Sequence, residues 1–169
     1  GWQPGIVLAA GRTLCALEKL RVGDTGHSAL LTNLMFGAYN KKFKPNRTPN
    51  AWICTDPAVV DRYTADPLCG GDATVGLSRE LLRGLGFIQK RANLERMNKA
   101  LPVFFIAGHS DPVGAMGKGV EKAASRFCAA GMQQVALHLY DGRHEILNEP
   151  NREEVYGDVW AFLLKTLKK

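Results

Sequence analysis

Two residues of this chain have the type and the setting for acid–base chemistry, Asp111 and His144. Each comes just past an apolar run rich in β-formers. Residues 101–107 stop at Gly108-His109-Ser110 before the carboxylate, and residues 134–140 stop at Asp141-Gly142-Arg143 before the imidazole. In adjacent parallel strands both side chains emerge at one sheet edge, where open α/β sheets gather their catalytic groups. A carboxylate there can hold an imidazole in one tautomer and stabilise its protonated form, as general-base catalysis requires. The competing reading gives both residues structural work: Asp111 caps the turn that follows it, and His144 is a surface turn residue.

A nucleophile is harder to find. Gly26-His27-Ser28-Ala29-Leu30 begins like a Gly-x-Ser-x-Gly elbow but ends in leucine and follows a loop instead of a strand. Gly108-His109-Ser110-Asp111-Pro112 does follow a strand, but proline replaces the glycine that lets the backbone pack closely at such an elbow. Ser28 and Ser110 therefore read as cap or turn residues, and no His-Gly-Gly type oxyanion loop is present.

The elements that must position Asp111 and His144 fall in the second half of the chain. Strand 101–107, helix 117–130, strand 134–140 and helix 152–167 form a parallel crossover, expected to be right-handed. Val155, Val159, Trp160, Phe162 and Leu163 mark the buried face of the last helix. Two strands are too few for a stable sheet covered on both faces. Residues 1–100 read differently, as helices over 5–21, 28–39, 57–65 and 74–89 with a short turn over 93–98, joined by loops rich in Pro and Gly. Leu8, Leu14, Leu17 and Leu20 form the apolar stripe of the first helix. Nothing there alternates like a sheet, so this half reads as a lid.

Composition bounds the rest. At 169 residues, 46% of them hydrophobic, the chain can bury one ordinary core. No apolar run approaches the roughly 20 residues a membrane span needs, so no transmembrane segment is expected and a cytoplasmic location is. Cys15, Cys54, Cys69 and Cys128 lack ligand spacing and read as free thiols; with four scattered histidines they predict neither a metal site nor a cofactor. Residues 1–100 carry 14 Lys and Arg against 8 Asp and Glu, whereas residues 101–169 carry 8 of each, so the whole +6 sits in the first half. That excess suits an anionic surface such as lipid head groups, or simply a solvated face. The basic run Lys41-Lys42-Phe43-Lys44 is too short to predict specific nucleic-acid binding.

The segments around both residues, taken together, resemble the C-terminal part of an α/β-hydrolase of the monoacylglycerol lipase and lysophospholipase-like type, grouped with the serine aminopeptidases. Ala107, Gly108, Asp111, Pro112, Val113 and Gly114 match an "AGxxDPVG"-like turn; Gly142, Arg143, His144, Glu145, Leu147, Asn148 and Glu149 match a "GxRHExLNE"-like segment. Met35 to Asn40 and Asp66 to Gly70 fall where that family inserts its cap. The resemblance implies a partial α/β-hydrolase fold, with residues 1–100 the helical cap and residues 101–169 the end of the core. It implies a serine hydrolase of lipid-like acyl esters with Asp111 as acid and His144 as base. Its first strands, oxyanion loop and serine elbow have no counterpart here, so the chain is expected to be a fragment, inactive alone. Its expected partners are the missing half of the core or, through the edge of strand 101–107, other copies of itself. A non-catalytic binding module on the same scaffold is the alternative; an upstream strand followed by Gly-x-Ser-x-Gly would decide for the enzyme.

Overall fold

In the computed structural model, which describes residues 2–167, helices fill the chain up to residue 100 and a strand–helix–strand–helix unit completes it. The first helix, α1 (Gly5–Val22), starts directly after Pro4, whose carbonyl accepts from the amides of Val7 and Leu8. Proline suits this place because the first turn has no use for its missing N–H. α2 (Ala29–Phe36), α3 (Pro57–Ala65) and α4 (Val75–Ile88) are each opened by a side chain that takes an orphan amide: Ser28 from Leu31, Asp56 from Ala58 and Thr74 from Leu77. α2 is shorter than the predicted 28–39 because it stops at Gly37, and a 3-10 turn covers Tyr39–Phe43 instead. The short α5 (Arg91–Glu95) lies slightly upstream of the turn predicted at 93–98.

α1 and α4 pack along each other around Cys15, Leu31 and Val75, joined by the half-buried Leu14, Val22 and Leu82. Leu8 and Leu14 contribute to the interior as predicted. Leu17 and Leu20 do not; both are exposed, because α4 covers only one stripe of α1. Asp24 ties the two helices together by ion pairs to Lys19 and Arg79.

β1 (Val103–Gly108) and β2 (Val135–Tyr140) pair in parallel, with Val103 opposite Val135 and Gly108 opposite Tyr140. α6 (Lys118–Ala129) links them and packs against one face through Phe127, which meets Phe105 edge-on at 5.0 Å. α7 (Arg152–Leu167) takes the opposite face, where Tyr140, Ile146 and Val155 form a core joined by Ile106, and Phe104 meets Phe162 at 5.2 Å. Two strands about 5 Å apart present a surface scarcely wider than one helix. That explains a correction to the predicted buried face of α7: Val155 is buried and Val159 and Phe162 are half-buried, but Trp160 and Leu163 are 61% and 42% exposed. The result is a helix-rich α/β arrangement with a small parallel sheet.

Candidate active site

The turn after β1 stays attached to the end of β2. The His109 amide donates to the Tyr140 carbonyl at 2.7 Å, the Ser110 amide to that of Gly142 at 2.9 Å, and the Asp111 amide back to Gly108 at 3.1 Å. Asp111 is thereby folded inward, with 6% of its surface exposed. Its Oδ1 accepts the Val113 amide at 2.8 Å and lies 3.2 Å from Nδ1 of His144. The two sequence readings of Asp111, turn cap and histidine partner, thus coexist on one oxygen. An ionised carboxylate only accepts, so Nδ1 carries the proton of this bond and Nε2 is the nitrogen left free to take one.

His144 is partly open, its side chain 39% exposed against 9% for Asp111. The hydrogen bond from Asp111 raises its pKa above the usual histidine value; burial opposes this, and the negative charges of Asp111 and Glu145 assist. Trp52 lies against the imidazole with ring centres 5.2 Å apart. Tyr39 meets Trp52 at 5.2 Å and Phe36 meets Tyr39 at 6.1 Å, so an aromatic row from the helical half of the chain ends on His144. The Tyr39 hydroxyl is pushed up by burial and then by the charge of Asp111, which places it in the same electrostatic field.

The turn that carries His144 is also fastened to residues 51–55. The Glu145 amide donates to the Ile53 carbonyl at 2.8 Å, and the Arg143 guanidinium donates to the carbonyls of Ala51 and, at 3.2 Å, Cys54. Glu149, 1% exposed, accepts from the amides of Arg143 and Thr55 and from the Thr55 hydroxyl. Trp52 and the support from residues 51–55 escaped sequence reading. They lie about ninety positions from His144, and no periodicity or spacing links them. Glu149 was visible only as the last letter of a motif; a carboxylate between Asn148 and Pro150, with no cation beside it, was the available hint.

The serines behave as caps and turns. Ser28 is buried, donates to Glu18 at 2.5 Å and caps α2; Ser110 sits in the turn before Asp111. Among the described residues no serine hydroxyl is hydrogen-bonded to His144, and no group of three His, Cys, Asp or Glu side chains is gathered as a metal would need. All four cysteines are free, and burial pushes the Cys54 thiol up to about 11. No helix among the described residues is long and apolar enough to cross a membrane.

Comparison with known proteins bears on the family and the fold. The model of the serine aminopeptidase S33 family matches residues 2–151. A monoacylglycerol lipase of Mycolicibacterium smegmatis is 32% identical over 122 residues, which cover 68% of this chain and 39% of that protein. A lipase solved in an open form superposes with a TM-score of 0.83 at 25% identity, over 93% of this chain and 51% of that one. A highly thermostable carboxyl esterase of Bacillus coagulans, solved in complex with glycerol, gives 0.79 at 23% identity over 94% and 52%. The chain therefore spans about half or less of the length of each of these relatives.

Proposed function

Since the chain belongs to the serine aminopeptidase S33 family, an α/β-hydrolase family of the monoacylglycerol lipase type, we propose that it supplies the acid and the base of a Ser–His–Asp triad in an enzyme that cleaves carboxylic esters of lipid-like substrates. The observation that carries this reading is the 3.2 Å approach of Asp111 Oδ1 to His144 Nδ1 at the ends of two parallel strands. In this scheme a serine from outside these residues attacks the acyl carbonyl of a monoacylglycerol or lysophospholipid. His144 takes the serine proton on Nε2 while Asp111 holds Nδ1–H and stabilises the imidazolium. The imidazolium then protonates the leaving alcohol, which departs as the acyl-enzyme forms. Water attacks that ester, giving its proton to His144, and serine and fatty acid are released. Residues 1–100 form a cap over the acyl chain and residues 101–169 the end of the core, and the cap's excess positive charge favours work at a lipid interface by a cytoplasmic protein.

The test is labelling with a fluorophosphonate, which reacts only with an activated serine. The 169-residue chain should remain unlabelled. The complete open reading frame should be labelled at a serine upstream of it, and its hydrolysis of a short-chain aryl ester should be lost in Asp111→Asn and His144→Ala. Strong labelling of Ser110 in the chain alone, or full ester hydrolysis in either variant, sinks the proposal.

A further inference from the structure

We propose that Glu149 is a positioning residue, whose buried carboxylate locks the turn carrying His144 onto residues 51–55, so that the helical half of the chain sets the place of the imidazole as firmly as β2 does. The inference rests on reading Asp111 and His144 as the working pair.

A carboxylate at 1% exposure is costly to bury unless it is paired or fully hydrogen-bonded. Among the described residues no Lys, Arg or His side chain forms an ion pair with Glu149. Its compensation comes from donors on two separate segments. Oε1 accepts the Arg143 amide at 2.7 Å and the Thr55 amide at 3.1 Å, and Oε2 accepts the Thr55 amide at 3.0 Å and the Thr55 hydroxyl. One anion thus bridges the residue just before His144 and a residue from the other half of the chain. The residue just after His144 is tied to the same place, through Glu145 N–H and the Ile53 carbonyl. Cys54 adds a thiol contact to the Asn148 carbonyl at 3.6 Å.

The local backbone is shaped to admit this carboxylate. A Cβ at residue 142 would lie 2.8 Å from Glu149 Cγ, and its φ of 150° also disfavours an L side chain, so only glycine accommodates both. Trp52, which lies on the imidazole, belongs to the segment that Glu149 holds. Among the described residues, the charged groups that face His144 are Asp111 and Glu145; Glu149 interacts with Cys54, Thr55 and the Arg143 backbone, and reaches His144 through the turn.

Imidazole nitrogen and carbon shifts, followed by NMR through a pH titration of the 169-residue chain, read this directly. In Glu149→Ala the upward displacement of the His144 pKa should vanish and the ring signals should lose their shielding by Trp52. Glu149→Gln keeps an acceptor for the Arg143 amide without the charge and should retain most of the displacement. An alanine variant indistinguishable from the parent, or a glutamine variant that falls as far as alanine, overturns the proposal. Should Glu149→Ala fail to fold, Thr55→Val removes one donor at an exposed site. Displaced His144 ring signals there support the clamp, and unchanged ones overturn it. Asp111→Asn separates the two readings: a lowered His144 pKa there with silent Glu149 variants removes only the clamp, whereas no response to Asp111→Asn removes the pair itself.

Discussion

Replacing Asp111 by asparagine removes a charge while keeping most of the site's shape. Both contacts of the Asp111 side chain, to the Val113 amide and to His144, go to Oδ1, which asparagine retains; only Oδ2, packed near Gly114, becomes an amide nitrogen. What disappears is the attraction between carboxylate and imidazolium. Unit charges about 4 Å apart attract by about 1 kcal/mol in water and about 4 kcal/mol at an effective dielectric near 20. His144 is 39% exposed, and burial opposes its protonation, so the lower end applies: about 1 kcal/mol. The sign follows from linkage. The folded-state pKa of His144 is raised, so this stability is fully present below the unfolded histidine value, about 6.5, and is lost as pH rises through the folded value. Urea unfolding at about pH 5 and about pH 9 measures the difference. Asp111→Asn should cost about 1 kcal/mol more at the acid end than at the alkaline end, and its Tm should fall by an extra ~3 °C there. The double difference cancels any cost of the substitution that is independent of pH. Equal losses at both pH values would refute a charge coupling between these two side chains.

Two further outcomes follow from the backbone around the pair. A Cβ at Gly108 would press on the Arg143 carbonyl oxygen and lie 2.6 Å from that of Gly142, both main-chain atoms of the His144 turn. Gly108→Ala should therefore cost roughly 3 kcal/mol or more in urea unfolding and abolish the raised His144 pKa; a loss under about 1 kcal/mol would count against this packing. β1 pairs only with β2 among the described residues, and Trp160 and Leu163 are exposed on α7, so the chain should self-associate through unpaired edge and apolar surface. Sedimentation velocity at micromolar concentration should show dimers or larger species, and a single monomeric boundary would contradict it.

The second half of the chain was legible because its signals are local. Apolar runs ending at Gly108 and Tyr140 gave the strands, and Gly131 marked the end of the intervening helix. The small offset at the start of β1 has a physical cause: Pro102 has no amide to offer the ladder, and the Leu101 amide turns back to Asn98, so pairing begins with Val103 N–H on the Gln134 carbonyl. In the first half, Ser28 was readable as a cap, but the exposed face of α1 was not, nor was that of α7 in the second half. Periodicity reports how many apolar residues a helix offers, and the available partner surface decides how many are buried. The meeting of Asp111 with His144 was legible because parallel strands deliver consecutive ends to one edge. The meeting of Trp52 and Thr55 with the same turn was not, since it depends on how a helical segment returns across the sheet.

That return bears on how the site is built. A histidine at the end of an edge strand would ordinarily be held on one side only, by the adjacent strand and its turn. Here the backbone amides on both sides of His144, at Arg143 and Glu145, lead to Glu149 and Ile53, and the Arg143 side chain reaches Ala51 and Cys54 while lying over Phe43 at 4.2 Å. Movement of residues 51–55 therefore cannot leave the imidazole untouched: it would break several hydrogen bonds and lift Trp52 from the ring together. Each such bond contributes only about 1 kcal/mol, but the need to break several at once makes such an opening rare in an otherwise intact fold. The histidine and this segment of the helical half should consequently shift as one body, and displacement of that segment would be felt at Nε2.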